Sequence, residues 1–237
     1  MKENLKYTQG LEFLAERGLN IIHVFDTEQI ADLITPALPQ IDLSRYPRTV
    51  LTASAGMRYW QNVQDSAFAN YSNPVDEYSV YVSQNFVETF LCGQSFLLYP
   101  SDLPIPLGSV GLRSGWSFQS PMGISIHPEF GTWFAYRTLL LVEDELPCTK
   151  TPAYSHPCDE CDGKPCISIC PSGAVGPIGE FGLEACGRYR ISDQSSCAYT
   201  CKSRFVCPVG TKFRYVPDQV YYHYNRSRKT MSRYYKD

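Results

Sequence analysis

Hydrophobic side chains recur at helical spacing near the start of the chain, at Leu5, Leu11, Leu14 and Ala15. This spacing predicts an amphipathic helix. The run "LNIIHVF" that follows is apolar and predicts a strand. The next run, "DTEQIADLI", predicts a second helix capped near Asp26 or the threonine after it. The first predicted elements are thus a helix, a strand and another helix.

The same alternation continues further along the chain. "RTVLTAS" (48–54) predicts a strand, and the proline directly after Asn73 predicts the start of a long amphipathic helix. "SFLLYPSD" predicts a strand, and "LPIPLGSVGLRSGW" predicts a loop rich in proline and glycine. "WFAYRTLLLV" predicts a buried strand after a hairpin turn at Gly131. Helices alternating with strands are typical of a layered core, so we expect an α+β domain over residues 1–147.

Composition and charge restrict the class of protein. Of the 237 residues, 14% are aromatic and 19% are charged, which indicates a buried globular core rather than a disordered chain. A net charge of −3 gives no overall attraction to nucleic acids or membranes. The N-terminal residues lack the apolar segment of a signal peptide, and no apolar run approaches the about 18 residues of a membrane span. We therefore expect a cytoplasmic protein with no membrane partner.

The cysteines are concentrated in one segment. Only Cys92 and Cys148 lie in the first 157 residues, and the other eight of ten fall between positions 158 and 207. Because a cytoplasmic chain keeps its thiols reduced, this density indicates metal binding rather than disulfides. We expect residues 148–211 to form a module of their own. Cys92, among apolar residues at a predicted helix end, is expected to be buried and inert.

The cysteines inside this module indicate a protein that binds two 4Fe–4S clusters, although their spacing departs from the common Cys-x-x-Cys-x-x-Cys-x-x-x-Cys-Pro pattern. "CDECDGKPCISICP" and "CAYTCKSRFVCP" each end in Cys-Pro, and in two-cluster ferredoxins the cysteine before proline ligates the other cluster. The predicted ligands of the first cluster are Cys158, Cys161, Cys166 and Cys207. The predicted ligands of the second cluster are Cys170, Cys186, Cys197 and Cys201. Two all-cysteine zinc sites, or disulfides, are the alternatives.

Three stretches of the first domain resemble the CblC-type cobalamin-processing proteins, which remove the upper axial ligand of cobalamin. They are "NPVDEYSVYV", "SVGLRSGW" and "GISIHPEFGTWFAYRTLLLV". The last two also resemble the cobalamin domain of epoxyqueuosine reductase, a family that carries a two-cluster ferredoxin module directly after that domain. The resemblance implies a flavin-reductase (nitroreductase-like) core joined to a bacterial-ferredoxin-like module. It also implies cobalamin as a cofactor, with flavin as an alternative.

Several residues in these stretches are candidates for chemistry or binding. Asp76 and Arg137 are the candidate catalytic residues, and the resemblance implies that Arg137 also contacts the cofactor or glutathione. A helix cap for Asp76 and a structural ion pair for Arg137 are the alternatives. His127 is a candidate contact of the corrin face or its side chains, with a hairpin cap as its alternative. The other candidates for the corrin, with turns or core packing as alternatives, are Gly111, Gly115, Gly123 and Trp133.

The C-terminal segment, 212–237, is basic and rich in tyrosine. Basic residues with aromatic neighbours can bind RNA by charge and stacking. The alternative is a solvated arm that its tyrosines pack against the cysteine module.

Together these features predict an iron–sulfur oxidoreductase. An external ferredoxin, flavodoxin or reductase would supply electrons, which would pass through both clusters to a corrinoid held base-off in the first domain. Two other functions remain open: a ferredoxin-type electron-transfer protein without a corrin, and a tRNA-modifying reductase like epoxyqueuosine reductase. Because flavin-reductase-like folds often form dimers, a homodimer is a candidate assembly.

Overall fold

The computed structural model of the protein describes residues 2–151 and 153–235. Its strands are Ile21–Asp26 (β1), Arg48–Ala55 (β2), Ser95–Tyr99 (β3), Phe118–Gln119 (β4), Ser125–Ile126 (β5) and Phe134–Val142 (β6). Four of them form an antiparallel sheet in the order β1-β2-β6-β3, while β4 and β5 form a separate hairpin. The four sheet strands lie where the hydrophobic pattern predicts them.

Helices account for most of the remaining regular structure. In the described part of the chain they are Lys2–Glu16 (α1), Ala31–Ile34 (α2), Arg58–Asp65 (α3), Pro74–Phe90 (α4), Leu107–Arg113 (α5), Pro165–Ser168 (α6), Leu183–Ile191 (α7), Lys202–Val206 (α8) and Pro217–Tyr235 (α9). Asp26 caps a 3-10 turn that leads into α2, and Pro74 occupies the first turn of α4, as the sequence predicts. The mixture of helix and sheet confirms the α+β class.

The chain forms two compact units. The first, called the sheet unit, contains the residues up to Trp116 together with Phe134–Ala153. The second, called the cysteine unit, contains Ser117–Trp133 together with the residues from Tyr154 onward. Residues 117–133 thus belong with the cysteines, although the sequence analysis draws a boundary only at 147/148. The described part of the C-terminal segment, 212–235, also falls in the cysteine unit, where α9 packs against α7.

The core of the sheet unit is centred on β2 and β6. Both strands are buried along almost their whole length, since α3 packs against β2 and α4 against β6. Their buried hydroxyl groups bond to one another: Thr52 Oγ1 lies 2.7 Å from Thr138 Oγ1, which also accepts a bond of 3.2 Å from Ser83. These three buried hydroxyl groups are therefore satisfied inside the unit.

The predicted loop before Trp116 contains a helix, α5, so that prediction is wrong for residues 107–113. Two features stabilise this helix despite its glycines. Val110 is fully buried, and Arg113 in the last turn donates a hydrogen bond of 2.7 Å to Asp32 and one of 2.9 Å to the carbonyl of Gln29. Gly111 lies against Tyr136, which leaves no room for a side chain. The glycine that indicates a loop in the sequence is instead a packing requirement.

None of the helices in the described residues is both long and apolar enough to cross a membrane.

Candidate metal centre

The first four predicted ligands, called here the first quartet, lie around one cavity in the cysteine unit. Cys158 and Cys161 belong to the turns before α6, and Cys166 lies within that helix. Cys207 directly follows α8. All four line the same cavity. The fold thus brings Cys207, the last cysteine of the sequence, to the same cavity as the three cysteines at positions 158, 161 and 166.

Apolar side chains enclose the first quartet. Cys158, Cys166 and Cys207 are at most 8% exposed, and they share a hydrophobic cluster with Met122 and Ile126. Met122 lies in the turn between β4 and β5, and Ile126 lies in β5. A charged thiolate in such surroundings is unfavourable unless a cation accompanies it.

The other four predicted ligands, called the second quartet, lie around a second cavity of about 330 Å³. Cys170 follows α6, Cys186 lies within α7, and Cys197 and Cys201 precede α8. No described cysteine lines both cavities. The cavities group the cysteines into the same two sets of four as the Cys-Pro spacing does, and ligation of a metal by these sets stays a prediction.

Burial keeps most of these thiols protonated in the absence of a cation. Burial, together with the neighbouring thiols of Cys207 and Cys166, raises the pKa of Cys158 to about 11. Burial also raises the pKa of Cys186 to about 11, although the nearby guanidinium of Arg190 opposes it. Because the thiolate is the metal-binding form, a metal that binds here must displace protons.

The pKa of Cys170 shifts in the opposite direction, downward. Burial acts to raise its pKa, but hydrogen bonds from the Ser172 hydroxyl and from the backbone N–H groups of Val175 and Ala174 outweigh burial and lower it. The Ser172 oxygen lies 3.4 Å from the sulfur. Donors directed at a cysteine sulfur are a feature of iron–sulfur sites, where they also adjust the reduction potential.

Two buried arginines line the second cavity, Arg190 on α7 and Arg204 on α8. Arg190 is 5% exposed. Its Nε donates to the carbonyl of Cys197 at 3.3 Å, its Nη2 to the carbonyl of Tyr224 at 2.8 Å, and its Nη1 to the hydroxyl of Ser227 at 2.9 Å. Among the described residues, no carboxylate pairs with Arg190, so its partners are all neutral.

Arg204 is also surrounded by neutral groups. It is 8% exposed, and its guanidinium carbon lies 4.4 Å from the ring centroid of Trp133 and 4.9 Å from that of Tyr215. It donates a hydrogen bond to the carbonyl of Thr132. Within the described chain its buried Nε has no hydrogen-bond partner. Cation–π contacts favour this position but do not neutralise the charge.

The sequence predictions include neither arginine, although the sequence carries a signal for both. Arg190 stands four residues after Cys186, and Arg204 stands three residues after Cys201. On a helix these spacings put an arginine one turn away from a cysteine, on the same face. An arginine one turn from a predicted cysteine ligand indicates that its positive charge offsets the negative charge of the thiolates.

A close backbone contact supports the loop that follows the first quartet. A Cβ on Gly131 would collide with the carbonyl of Val209, and a Cβ on Gly210 would collide with the carbonyl of Phe130. Both glycines have positive φ, +59° and +72°. The hairpin turn and the loop after Cys207 therefore pack backbone against backbone, an approach that only glycine permits.

No three His, Cys, Asp or Glu side chains of the described residues are close enough together to hold a single metal ion. The cysteines of each quartet instead line the wall of a cavity. Any group that binds all four thiols of a quartet must fill that cavity.

The two candidate catalytic residues share a neighbour in the sheet unit. Arg137 on β6 is 6% exposed, its Nε donates to Ser54 Oγ at 2.6 Å, and its guanidinium carbon lies 4.4 Å from the ring centroid of Tyr59. Its buried Nη2 has no hydrogen-bond partner in the described chain. Burial raises the pKa of Tyr59 to about 12, and the charges of Arg137 and Asp76 act on it in opposite directions. Asp76 lies in the first turn of α4.

The three candidate glycines lie against other parts of the protein. A Cβ on Gly111 would collide with the phenol of Tyr136, and a Cβ on Gly123 would collide with the ring of Phe181. Gly115 has a φ of +76°, in the left-handed region that favours glycine. Packing and backbone conformation account for all three glycines, and their contact with a corrin stays a prediction.

His127 and Trp133 belong to the cysteine unit, not to the sheet unit. His127 Nδ1 accepts hydrogen bonds from the backbone N–H groups of Glu129 at 3.0 Å and Phe130 at 3.3 Å, which caps the hairpin turn. Burial lowers the pKa of His127 to about 4, so the ring is neutral at pH 7. Trp133 is fully buried and its ring centroid lies 5.1 Å from that of Phe205. Both have the structural roles weighed as alternatives, and a corrin contact stays a prediction for each.

The two remaining cysteines are exposed. The expectation that Cys92 is buried is wrong, because α4 ends at Phe90 and Cys92 lies in the turn that follows. Its backbone N–H donates to Asp144 Oδ1 at 2.9 Å. Cys148 lies outside both quartets, like Cys92.

Comparison with known proteins gives matches to solved structures only. No protein-family model matches the sequence, and no curated protein matches it. Epoxyqueuosine reductase solved with an epoxyqueuosine-modified tRNA-Tyr stem loop is 16% identical, with a TM-score of 0.57 over 91% of this chain and 68% of that chain. Epoxyqueuosine reductase from Bacillus subtilis is 15% identical, with a TM-score of 0.55 over the same shares. The B12-trafficking protein CblC from C. elegans is 13% identical, with a TM-score of 0.50 over 98% of this chain and 97% of that chain. These identities show a likeness of fold, to both of the families that the sequence resembles.

Proposed function

We propose that this protein is an iron–sulfur redox protein with one 4Fe–4S cluster at each cysteine quartet. The observation that supports it most is that the eight cysteines line two separate cavities, four to each. Four thiolates converging on one space are the ligand set of such a cluster. A four-iron cube holds its ligands further apart than a single ion does, so this geometry is compatible with a cluster.

The surrounding residues fit this role. Met122 and Ile126 keep water away from the first quartet, and N–H and hydroxyl donors reach the sulfur of Cys170 in the second. Exclusion of solvent and hydrogen bonds to sulfur are two of the levers by which proteins set cluster potentials. Clusters bound at these quartets would supply one-electron transfer at low potential. An external ferredoxin, flavodoxin or reductase is the proposed electron donor.

We further propose that the acceptor is a cobalamin held in the sheet unit. Two observations support this: the likeness of fold to the B12-trafficking protein CblC, and the buried Nη2 of Arg137, a donor that a polar ligand would satisfy. Asp76, which acts electrostatically on the same Tyr59, is the proposed acid beside it. The predicted contact of Gly111 with the corrin would require Tyr136, which fills the space beside it, to move. Cobalamin, when bound, would supply a cobalt centre that accepts the electrons.

Anaerobic reconstitution with iron and sulfide tests the clusters. Two four-iron clusters require about eight irons per chain, and each should give an EPR signal on reduction. Cys161→Ser and Cys197→Ser should each lose about half of the iron, because each removes one ligand from a different quartet. Cys92→Ser, in an exposed turn outside both quartets, is the matched control and should keep all of it. Binding of about two zinc ions per chain in place of iron would refute the proposal.

Titration with cob(II)alamin tests the acceptor separately. We expect a shift to the base-off spectrum in the reconstituted protein, with weaker binding in Arg137→Gln. An unchanged cobalamin spectrum at full iron content would refute the corrin site. The protein would then be a ferredoxin-type electron-transfer protein whose sheet unit binds another partner.

RNA binding is a second candidate function, because α9 exposes three basic residues on one face. Arg226, Lys229 and Arg233 are exposed and follow the spacing i, i+3, i+7. One structure of similar fold contains a tRNA stem loop. A salt-dependent mobility shift of tRNA that is lost when the three residues are changed to Glu would support this function. No shift at low salt would exclude it.

A further inference from the structure

We infer that Arg190 and Arg204 make the second-quartet cluster easier to reduce than the first-quartet cluster, so that an electron entering the pair rests on the second. This inference rests on the proposed function. It states which of the two clusters has the higher reduction potential. The difference is attributed to two arginines that line the second cavity but not the first.

Arg190 is a buried cation, and burying a cation costs free energy. A guanidinium with only neutral partners in a protein interior is unfavourable unless an anion lies nearby. Arg190 is 5% exposed and is held by two carbonyls and a hydroxyl, from Cys197, Tyr224 and Ser227. Its Nη1 also lies 3.3 Å from the sulfur of Met231. None of these described partners of Arg190 carries a negative charge. The four thiolates of an iron–sulfur cube in the cavity would supply that charge.

Arg204 adds a second buried charge at the same cavity. Its neighbours are the carbonyl of Thr132 and the aromatic faces of Trp133 and Tyr215, none of which is an anion. Arginine stays protonated at all accessible pH values. Both charges are therefore permanent parts of the second cavity.

The first cavity has a different electrostatic environment. The cation that lines it is Lys164, which is partly exposed and donates to the carbonyl of Cys158 at 2.6 Å. Arg214 also acts on Cys207, but Arg214 is exposed and water screens it. Three exposed acids lie in the same turns as the first ligands, namely Asp159, Glu160 and Asp162. Cationic stabilisation is thus stronger at the second quartet.

Nearby positive charge affects the reduction potential of a cluster because reduction makes the cluster more negative. One electron from an external reductant takes a 4Fe–4S cluster with its four thiolates from about two net negative charges to about three, and no bond to the protein needs to break. Nearby buried cations favour the more negative state. The second cluster should therefore have the higher reduction potential, and each arginine removed should lower it.

The experiment is a redox titration of the reconstituted full-length chain, followed by EPR. Arg190→Gln should lower the equilibrium constant for reduction of one of the two clusters by on the order of tenfold. For a one-electron couple this is a fall of about 59 mV in the reduction potential. Arg190→Lys keeps the charge and should shift it much less. Arg188→Gln is the matched control, since Arg188 lies on the same helix but is exposed and pairs with Glu184 at 2.8 Å. Cys197→Ser, which removes a second-quartet ligand, identifies the signal of each cluster.

Each outcome decides the matter. A drop confined to the second cluster in Arg190→Gln, absent in Arg188→Gln, supports the inference. If Arg190→Gln loses four irons, the order of the two potentials in the wild-type chain decides: a higher potential for the second cluster supports the inference, and a higher potential for the first overturns it. Unchanged potentials, or equal effects of Gln and Lys at position 190, would overturn it. Failure of the wild-type chain to bind iron would instead refute the proposed function.

Discussion

The backbone contact between the hairpin turn and the loop after Cys207 makes a sharp prediction for Gly131→Ala. Gly131 has a φ of +59°, and its Cβ would collide with the carbonyl oxygen of Val209. The obstacle is backbone rather than the end of a flexible side chain. To admit a methyl group, the loop that carries Cys207 must move away. We therefore expect this substitution to destabilise the cysteine unit and to weaken the first quartet.

The magnitude follows from two contributions. A left-handed conformation costs a non-glycine residue about 1–2 kcal/mol, of which the stiffer unfolded chain returns about 0.4–1 kcal/mol. The collision adds the cost of overpacking, about 1–3 kcal/mol or more where backbone must shift. Gly131→Ala should thus lower the free energy of unfolding by about 2–4 kcal/mol. With a urea m-value of about 2 kcal/mol per M, the midpoint should fall by about 1–2 M.

Gly173→Ala separates the collision from the backbone strain. Gly173 has nearly the same φ, +63°, lies in the same unit, and has no atom within 4 Å of the position of its Cβ. It should lose only about 1 kcal/mol. Urea unfolding of both reconstituted variants, followed by the visible absorbance of the clusters, measures the difference. Equal midpoints for the two variants would show that the close approach at Val209 does not exist.

Three further predictions concern packing, pH and surface. Trp133→Ala, at a fully buried position, should lower the free energy of unfolding by about 3–5 kcal/mol in a urea titration. Tyr234→Ala, at a position 78% exposed, should change it by less than about 0.5 kcal/mol in the same titration. Burial lowers the pKa of His23 to about 4, so the unfolded chain binds a proton below about pH 6.5 that the folded chain refuses until about pH 4. Stability should therefore be full above that window and fall by up to about 3 kcal/mol as the pH drops through it, and His23→Gln should flatten this dependence in thermal melts at several pH values.

Local patterns in the sequence predict the sheet and the cysteine grouping because both depend on short-range information. β2 and β6 are short runs rich in apolar and β-branched residues, a composition that favours buried strands. The two Cys-Pro endings predict, from the ferredoxin pattern alone, which cysteine joins the other quartet. Neither inference requires knowledge of which distant residues meet.

The features that the sequence analysis missed depend on distant contacts. Gly131 reads as a turn residue, and nothing in its neighbours indicates that Val209 lies against it. Arg190 reads as the basic end of a helix, where a cation favours the helix dipole anyway. Its burial becomes clear only when α9 packs over α7 and supplies Tyr224 and Ser227 as partners.

The placement of residues 117–133 changes how the cysteine unit must be understood. Its hydrophobic cluster takes Met122 and Ile126 from a segment that precedes β6 of the sheet unit, and Trp133 comes from the same segment. A self-sufficient module appended after residue 147 would contain its whole core within its own sequence. Here residues 117–133, which precede β6 in the sequence, contribute Met122 and Ile126 to the core around the cysteines. The core of the cysteine unit therefore draws on residues 117–133 as well as on the chain from Tyr154 onward.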